Sequence, residues 1–146
     1  MDLGLRFKRI SDLMKKKFNR ELEKVGLTFS QHHVLLYLSQ CENQETSLKD
    51  LEKAAGVAQS TMAGIVMRLE DKGYIEPFAD EADRRIKKVR LSSAGKKICE
   101  NAMRGFQEQN KVMCSDLTEQ EQRQLEALLE KVYQSLKNDE GKEEQE

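Results

Sequence analysis

Seven cations and no acid lie between Arg84 and Lys97: Arg84, Arg85, Lys87, Lys88, Arg90, Lys96 and Lys97. The chain as a whole carries a formal net charge of −1, and its end, from Asp116 on, is rich in acid. The run is therefore a local electrostatic footprint inside a neutral total. Clustered guanidinium and ammonium groups bind oxyanions, phosphates above all. A second set lies upstream. Met62, Ile65, Val66 and Leu69 fall at i, i+3, i+4 and i+7, the buried stripe of a helix over Gln59–Lys72. Its other face carries Gln59, Ser60, Thr61, Ala63, Gly64 and Arg68, small, polar and basic, which suits close approach to another surface.

Bond-making chemistry has no such support. The chain has no P-loop, no dinucleotide-binding glycine fingerprint, no G-x-S-x-G and no H-E-x-x-H. Its carboxylates interleave with Lys and Arg as on solvated helix faces, so no catalytic residue is assigned and no enzyme is expected. No cofactor is implied. His32 and His33 sit near the start of a helix, where a histidine is more often structural than a ligand. The three cysteines, Cys41, Cys99 and Cys114, have no metal-like spacing and their odd number argues against a disulfide framework. No apolar run approaches about 18 residues, and no signal-peptide core follows the N-terminal cations. The expected location is the cytoplasm, with no membrane partner.

The elements that must position these groups are mainly helical. Ser47 caps a short helix, S-L-K-D-L-E-K-A-A-G-V, that Gly56 ends, and the helix Gln59–Lys72 follows a tight turn and stops at Gly73. Tyr74–Phe78 reads as a strand that Pro77 confines to an edge, and Lys88–Leu91 as its return, with Val89 and Leu91 on one face. Two short helices crossing at a tight turn, with a reading face on the second, describe a helix-turn-helix that docks on DNA. Residues 41–46 read as a polar connector. On either side lie longer helices. Met1–Gly26 repeats Leu3, Phe7, Ile10, Met14, Phe18, Leu22 and Val25, a seam for a partner or for its own core. Thr28-x-x-Gln31 is a capping box opening a helix with Val34, Leu35, Tyr37 and Leu38, which runs to about Gln40. Ser92 caps a sparse, connecting helix from Ser93 to about Cys114. Thr118-x-x-Glu121 opens the last helix, with Leu125, Leu128, Leu129, Val132 and Leu136 in a stripe. Residues 138–146, N-D-E-G-K-E-E-Q-E, hold no apolar residue and read as a disordered tail. At 38% hydrophobic and 35% charged, the 146 residues suit amphipathic helices that bury surface against a second chain.

Four motifs in order resemble the MarR (multiple antibiotic resistance regulator) type of winged-helix transcription regulators: Leu27-Thr28-x-x-Gln31; Gly56-Val57-x-x-Ser60-Thr61; Arg68-Leu69-x-x-x-Gly73-x-Ile75; and Asp83-Arg84-Arg85-x-x-x-Val89-x-Leu91-Ser92-x-x-Gly95. The resemblance spans about residues 5–137. The chain departs from the pattern at Glu52, where many members have Ala, and at Ala63-Gly64, where many have Thr-Arg. The resemblance implies a winged helix-turn-helix over 27–91, dimerisation helices over 1–26 and 116–137, and a connecting helix over 92–115. It implies a homodimeric regulator, a repressor by expectation, on a pseudo-palindromic operator. Arg85, paired with Asp83, would enter the minor groove, and Arg84, Lys87 and Lys88 would meet phosphates. Leu3, Phe7, Ile10 and the Leu125–Leu136 stripe would make the dimer. A small aromatic or anionic effector would bind near His33, Tyr37, Lys17 and Arg20. Zinc-sensing relatives use a histidine at the place of His33, but this chain lacks histidines between Ser92 and Ser115, so no metal is assigned. Two alternatives stay open: a winged-helix interaction protein with weak or lost DNA binding, and a thiol-based redox-responsive regulator. Peroxide-sensing relatives use a cysteine in the first helix, and none precedes Cys41.

Overall fold

The computed structural model describes residues 2–143. Six helices and a small antiparallel sheet follow in order: α1 (Leu3–Lys24), α2 (Phe29–Gln40), a 3₁₀ turn (Glu42–Gln44), β1 (Glu45–Ser47), α3 (Leu48–Ala55), α4 (Gln59–Asp71), β2 (Ile75–Ala79), β3 (Lys87–Leu91), α5 (Ser93–Met113) and α6 (Glu119–Glu143). The mainly helical winged helix-turn-helix expected from the sequence is what these elements form. The helix boundaries follow local chemistry. Thr28 and Gln31 close a reciprocal capping box on α2, and Ser47 Oγ accepts from the Asp50 amide at the start of α3. Gly26, Gly56 and Gly73 stop α1, α3 and α4 in the left-handed region, at φ 72°, 63° and 74°.

The chain divides into two units, Met1–Gln107 and Glu108–Glu146. In the first, one core joins Leu22 of α1, Val34, Leu35 and Leu38 of α2, Leu51 of α3, the α4 stripe Met62, Ile65, Val66 and Leu69, and Ile75, Val89 and Leu91 of the sheet. The stripe of α1 is split along its length. Phe18, Leu22 and Val25 turn into this core, while Leu3, Phe7, Ile10 and Met14 stay exposed. In the second unit, Thr118 and Glu121 close the second capping box, and Leu125, Leu128, Leu129, Val132 and Leu136 of α6 are all exposed.

Two expectations are corrected. The connector at 41–46 holds a third strand. Its Thr46 pairs with Val89, giving the order β1-β3-β2, and the turn leading into it sets Asn43 and Gln44 at φ 55° and 56°. Strand β2 is an edge strand, as Pro77 requires. The tail is the other correction: α6 continues to Glu143, so residues 138–143 are helical. The Lys and Glu of that segment are good helix formers that extend a helix already nucleated by its capping box. The remainder of the expected tail, 144–146, lies outside the described residues. No helix among the described residues is long and apolar enough to cross a membrane.

His32 is buried, edge-on to both Phe18 and Phe106, which stack on each other at 4.2 Å between centroids. Its Nδ1 has no hydrogen-bond partner. Burial, and secondarily the neighbouring His33, lower its pKa from the ordinary 6.5. The unfolded chain then takes up a proton that the folded chain refuses, so stability is lost as pH falls below the ordinary histidine value. We expect the melting temperature to drop from pH 7.5 towards pH 5 by more in the parent than in His32→Gln. Identical pH profiles would show that His32 is not held neutral.

Candidate nucleic-acid interface

Helix α4 buries Met62, Ile65, Val66 and Leu69 and leaves Gln59, Ser60, Thr61, Ala63 and Arg68 exposed. The six positions that the sequence places on this face thus fall where a surface could read them, with Gly64 half-buried and the other five exposed. A Cβ at Gly64 would meet no atom within 4 Å. The N-cap of α4 is Ala58, which has no side chain able to accept a hydrogen bond, whereas α2, α3 and α6 begin on capping hydroxyls. The first-turn amides of α4 therefore remain available to an anion.

The hairpin tip is built on two aspartates. Asp80 Oδ1 accepts from the amides of Ala82 and Asp83, at 2.8 and 3.1 Å. Asp83 Oδ1 accepts from the Arg85 amide and from Arg85 Nε, both at 3.1 Å, and Oδ2 accepts from Nη2, also at 3.1 Å. The carboxylate so engaged is held below its usual pKa and the guanidinium above its own, each through the side-chain hydrogen bond to the other. Yet the Arg85 side chain is 91% exposed. An arginine at a loop tip ordinarily samples many rotamers. Here two side-chain bonds and one backbone bond fix it with its outer edge in solvent. Arg84 and Lys87 flank it, both exposed.

Lys88, expected at a phosphate, has partners within its own chain. It is half-buried and pairs with Glu45 of β1 at 3.4 Å, with Asp80 at 3.9 Å, and its Nζ lies 5.4 Å from the Phe78 ring centre. Arg90 lies over the same ring at 4.0 Å. These cations serve the base of the hairpin. The sequence does not betray it, because Glu45 meets Lys88 only through the strand that the connector conceals.

His33 and Tyr37 line one apolar cavity of about 330 Å³, together with Phe29, Leu51, Met62 and Ile65. Desolvation first, then Cys41 and Asp50, hold the Tyr37 phenol above its ordinary pKa. Lys17 and Arg20 do not line this cavity. Cys99 is half-buried and its thiol is pushed up to about 11, by burial first and Glu100 second, which makes it a poor nucleophile. Among the described residues no three His, Cys, Asp or Glu side chains come together to hold a metal ion.

The chain is similar in sequence to known proteins over this same region. Residues 27–87 match the model of the MarR family. The uncharacterized HTH-type transcriptional regulator YybA of Bacillus subtilis (strain 168) is 30% identical over 121 residues, 83% of this chain and 79% of that protein. The chain belongs to the MarR family. Two further relatives bear on what MarR proteins do. The HTH-type transcriptional repressor IacR of Pseudomonas putida is 27% identical over 128 residues, 88% of this chain and 75% of IacR. The structure of an S. aureus MepR–DNA complex superposes with a TM-score of 0.72 at 30% identity, covering 92% of this chain and 98% of that one. This MarR protein is accordingly a transcriptional regulator with a winged helix-turn-helix fold.

Proposed function

We propose that this protein is a homodimeric repressor that binds a pseudo-palindromic operator in double-stranded DNA. Helix α4 enters the major groove with Gln59, Ser60, Thr61 and Arg68 at base edges and phosphates, and Gly64 lets its backbone seat close. Arg85 enters the adjacent minor groove, and Arg84 and Lys87 meet phosphates. The observation that carries this reading is the Arg85–Asp83 pair: a fixed, solvent-facing guanidinium that no packing need of its own chain explains. DNA binding by MepR, and the repressor role in IacR's name, support it. Selection of operator fragments from random duplexes with purified protein tests it. An enriched inverted repeat is expected. No enrichment at low salt would leave the winged-helix interaction protein as the better reading.

The exposed stripes on α1 and α6, where Leu3 is 69% and Leu136 64% exposed, support dimerisation through these helices. Such surface is seldom left open to water. Leu128→Glu combined with Leu129→Glu should convert the dimer to an unstable monomer or aggregate. A compact, cooperatively folding monomer, or an unchanged dimer, by light scattering would remove α6 from the interface.

The cavity at His33 and Tyr37 favours an effector as part of the same function, a small aromatic compound whose ring meets Phe29, Leu51 and Ile65 and whose polar group meets Tyr37. To release DNA it must bind one spacing of the reading helices more tightly than the other. Salicylate-like compounds that shift neither melting temperature nor operator affinity would count against this site.

A further inference from the structure

Lys72 caps the C-terminus of α4, yet its ammonium reaches across 46 residues of sequence to the corner between α1 and α2. There Nζ donates to the carbonyl oxygen of Gly26 at 2.5 Å and to Gln31 Oε1 at 3.1 Å. Both acceptors are themselves fixed. Gly26 is the left-handed stop of α1, with its own amide on Glu23 O and the next amide, of Leu27, on Leu22 O. Gln31 is buried and its Oε1 also accepts from the Thr28 amide, the back-bond of the α2 capping box. One cation thus joins three helix ends: the C-terminus of α1, the N-terminus of α2 and the C-terminus of α4. A positive charge at two C-termini is electrostatically favoured. The position also follows directly on the last turn of the reading helix and on the last turn of the helix whose far end carries Leu3, Phe7 and Ile10.

We infer that Lys72 is a positioning residue that sets the angle of α4 relative to α1. This rests on the dimeric DNA-binding reading above and adds to it the means by which a dimer holds its two reading helices at one spacing. The apolar stripe of α4 packs its middle against the core, and the charge-assisted bonds of Lys72 to two fixed oxygens tether its C-terminal end. A two-site operator profits from that stiffness. Once one α4 is bound, the second binds at an effective concentration that falls as the arms loosen.

The test uses the full chain and three duplexes: the selected operator, the same operator with one base pair inserted between half-sites, and a single half-site with the other scrambled. For Lys72→Met, operator affinity should fall about tenfold through the lower effective concentration of the second reading helix, with half-site affinity and salt slope unchanged. Discrimination against the inserted base pair should shrink. Lys72→Arg should restore much of both, and Gln31→Ala should reproduce part of the loss. Melting curves accompany each variant. A variant that is merely less stable keeps the parent's ratio of operator to half-site affinity, and that result overturns the inference. Equal losses on operator and half-site with a shallower salt slope would make Lys72 a phosphate contact instead, which also overturns it. Parent-like binding by Lys72→Met defeats the positioning role while the DNA-binding reading stands. Only a parent that binds no duplex defeats both.

Discussion

Gly95→Ala should leave little folded protein. A Cβ at residue 95 would lie 2.1 Å from the carbonyl oxygen of Tyr74, 3.0 Å from its carbonyl carbon and 2.8 Å from Leu91 Cδ1. The nearest obstacle is backbone, so a rotamer change cannot relieve it. Helix α5 must retreat from the end of β2, and that movement strains a tightly bonded corner. Ser92 Oγ donates to Gly73 O at 2.6 Å, the Ser92 amide donates to Tyr74 O at 3.0 Å, and the Gly95 amide donates to Ser92 Oγ at 3.0 Å. Overpacking alone costs about 1–3 kcal/mol, and each hydrogen bond lost adds about 1 kcal/mol. The sum is a large part of a small domain's stability of roughly 5–15 kcal/mol. Gly64→Ala is the matched control. It lies in a helix with open space around the new methyl, and should raise stability by about 0.5–1 kcal/mol. Urea unfolding followed by circular dichroism compares the two. A Gly95→Ala midpoint equal to the parent's would mean that the helix and strand do not approach as described.

Arg85→Ala should weaken operator binding by about ten- to a hundredfold, the range for one good contact, and flatten any preference for A/T-rich flanks. The reason is preorganisation. Asp83 already holds the guanidinium at the hairpin tip, so little side-chain freedom remains to be lost when it enters a groove. Asp83→Ala, which keeps the cation and frees it, should show part of the loss. Lys87→Ala should weaken all sequences alike and reduce the salt slope by about one. Lys88→Ala should act differently from both, by loosening the base of the hairpin through its bonds to Glu45 and Asp80. Operator affinity measured against salt for the four variants separates these behaviours. Parent-like affinity for Arg85→Ala at every salt concentration would remove the wing from the reading surface.

Local rules explain which features could be read beforehand. Capping boxes at Thr28 and Thr118, glycine stops at 26, 56 and 73, and the α4 stripe each depend on neighbours within a few residues, and each appears where its residues stand. What escaped depends on distant partners. Glu45–Ser47 is too short to carry an alternation, and becomes a strand only because β3 offers it a register. Lys72 reads as an ordinary last-turn cation until Gly26 and Gln31 are brought beside it. Lys88 belongs to a cationic run by composition and to the hairpin base by geometry. The need for glycine at 95 is set by a carbonyl 21 positions earlier in the chain. The Gln59–Arg68 face was legible as a surface, since its stripe defines its opposite side, but a stripe says nothing of what that surface meets.

The open space around residue 64 has an evolutionary consequence. Most changes to a protein's working surface spend stability that must first be in hand, which slows the acquisition of new specificities. Here the middle of the outward face of α4 holds a residue whose replacement by almost any non-β-branched side chain favours the helix. A lineage can therefore try at least a small side chain at this one position without a clash of its Cβ. Preference for a target sequence can drift while the scaffold stays equally sound, so related proteins that differ at this site are expected to diverge in what they recognise before they diverge in how they fold.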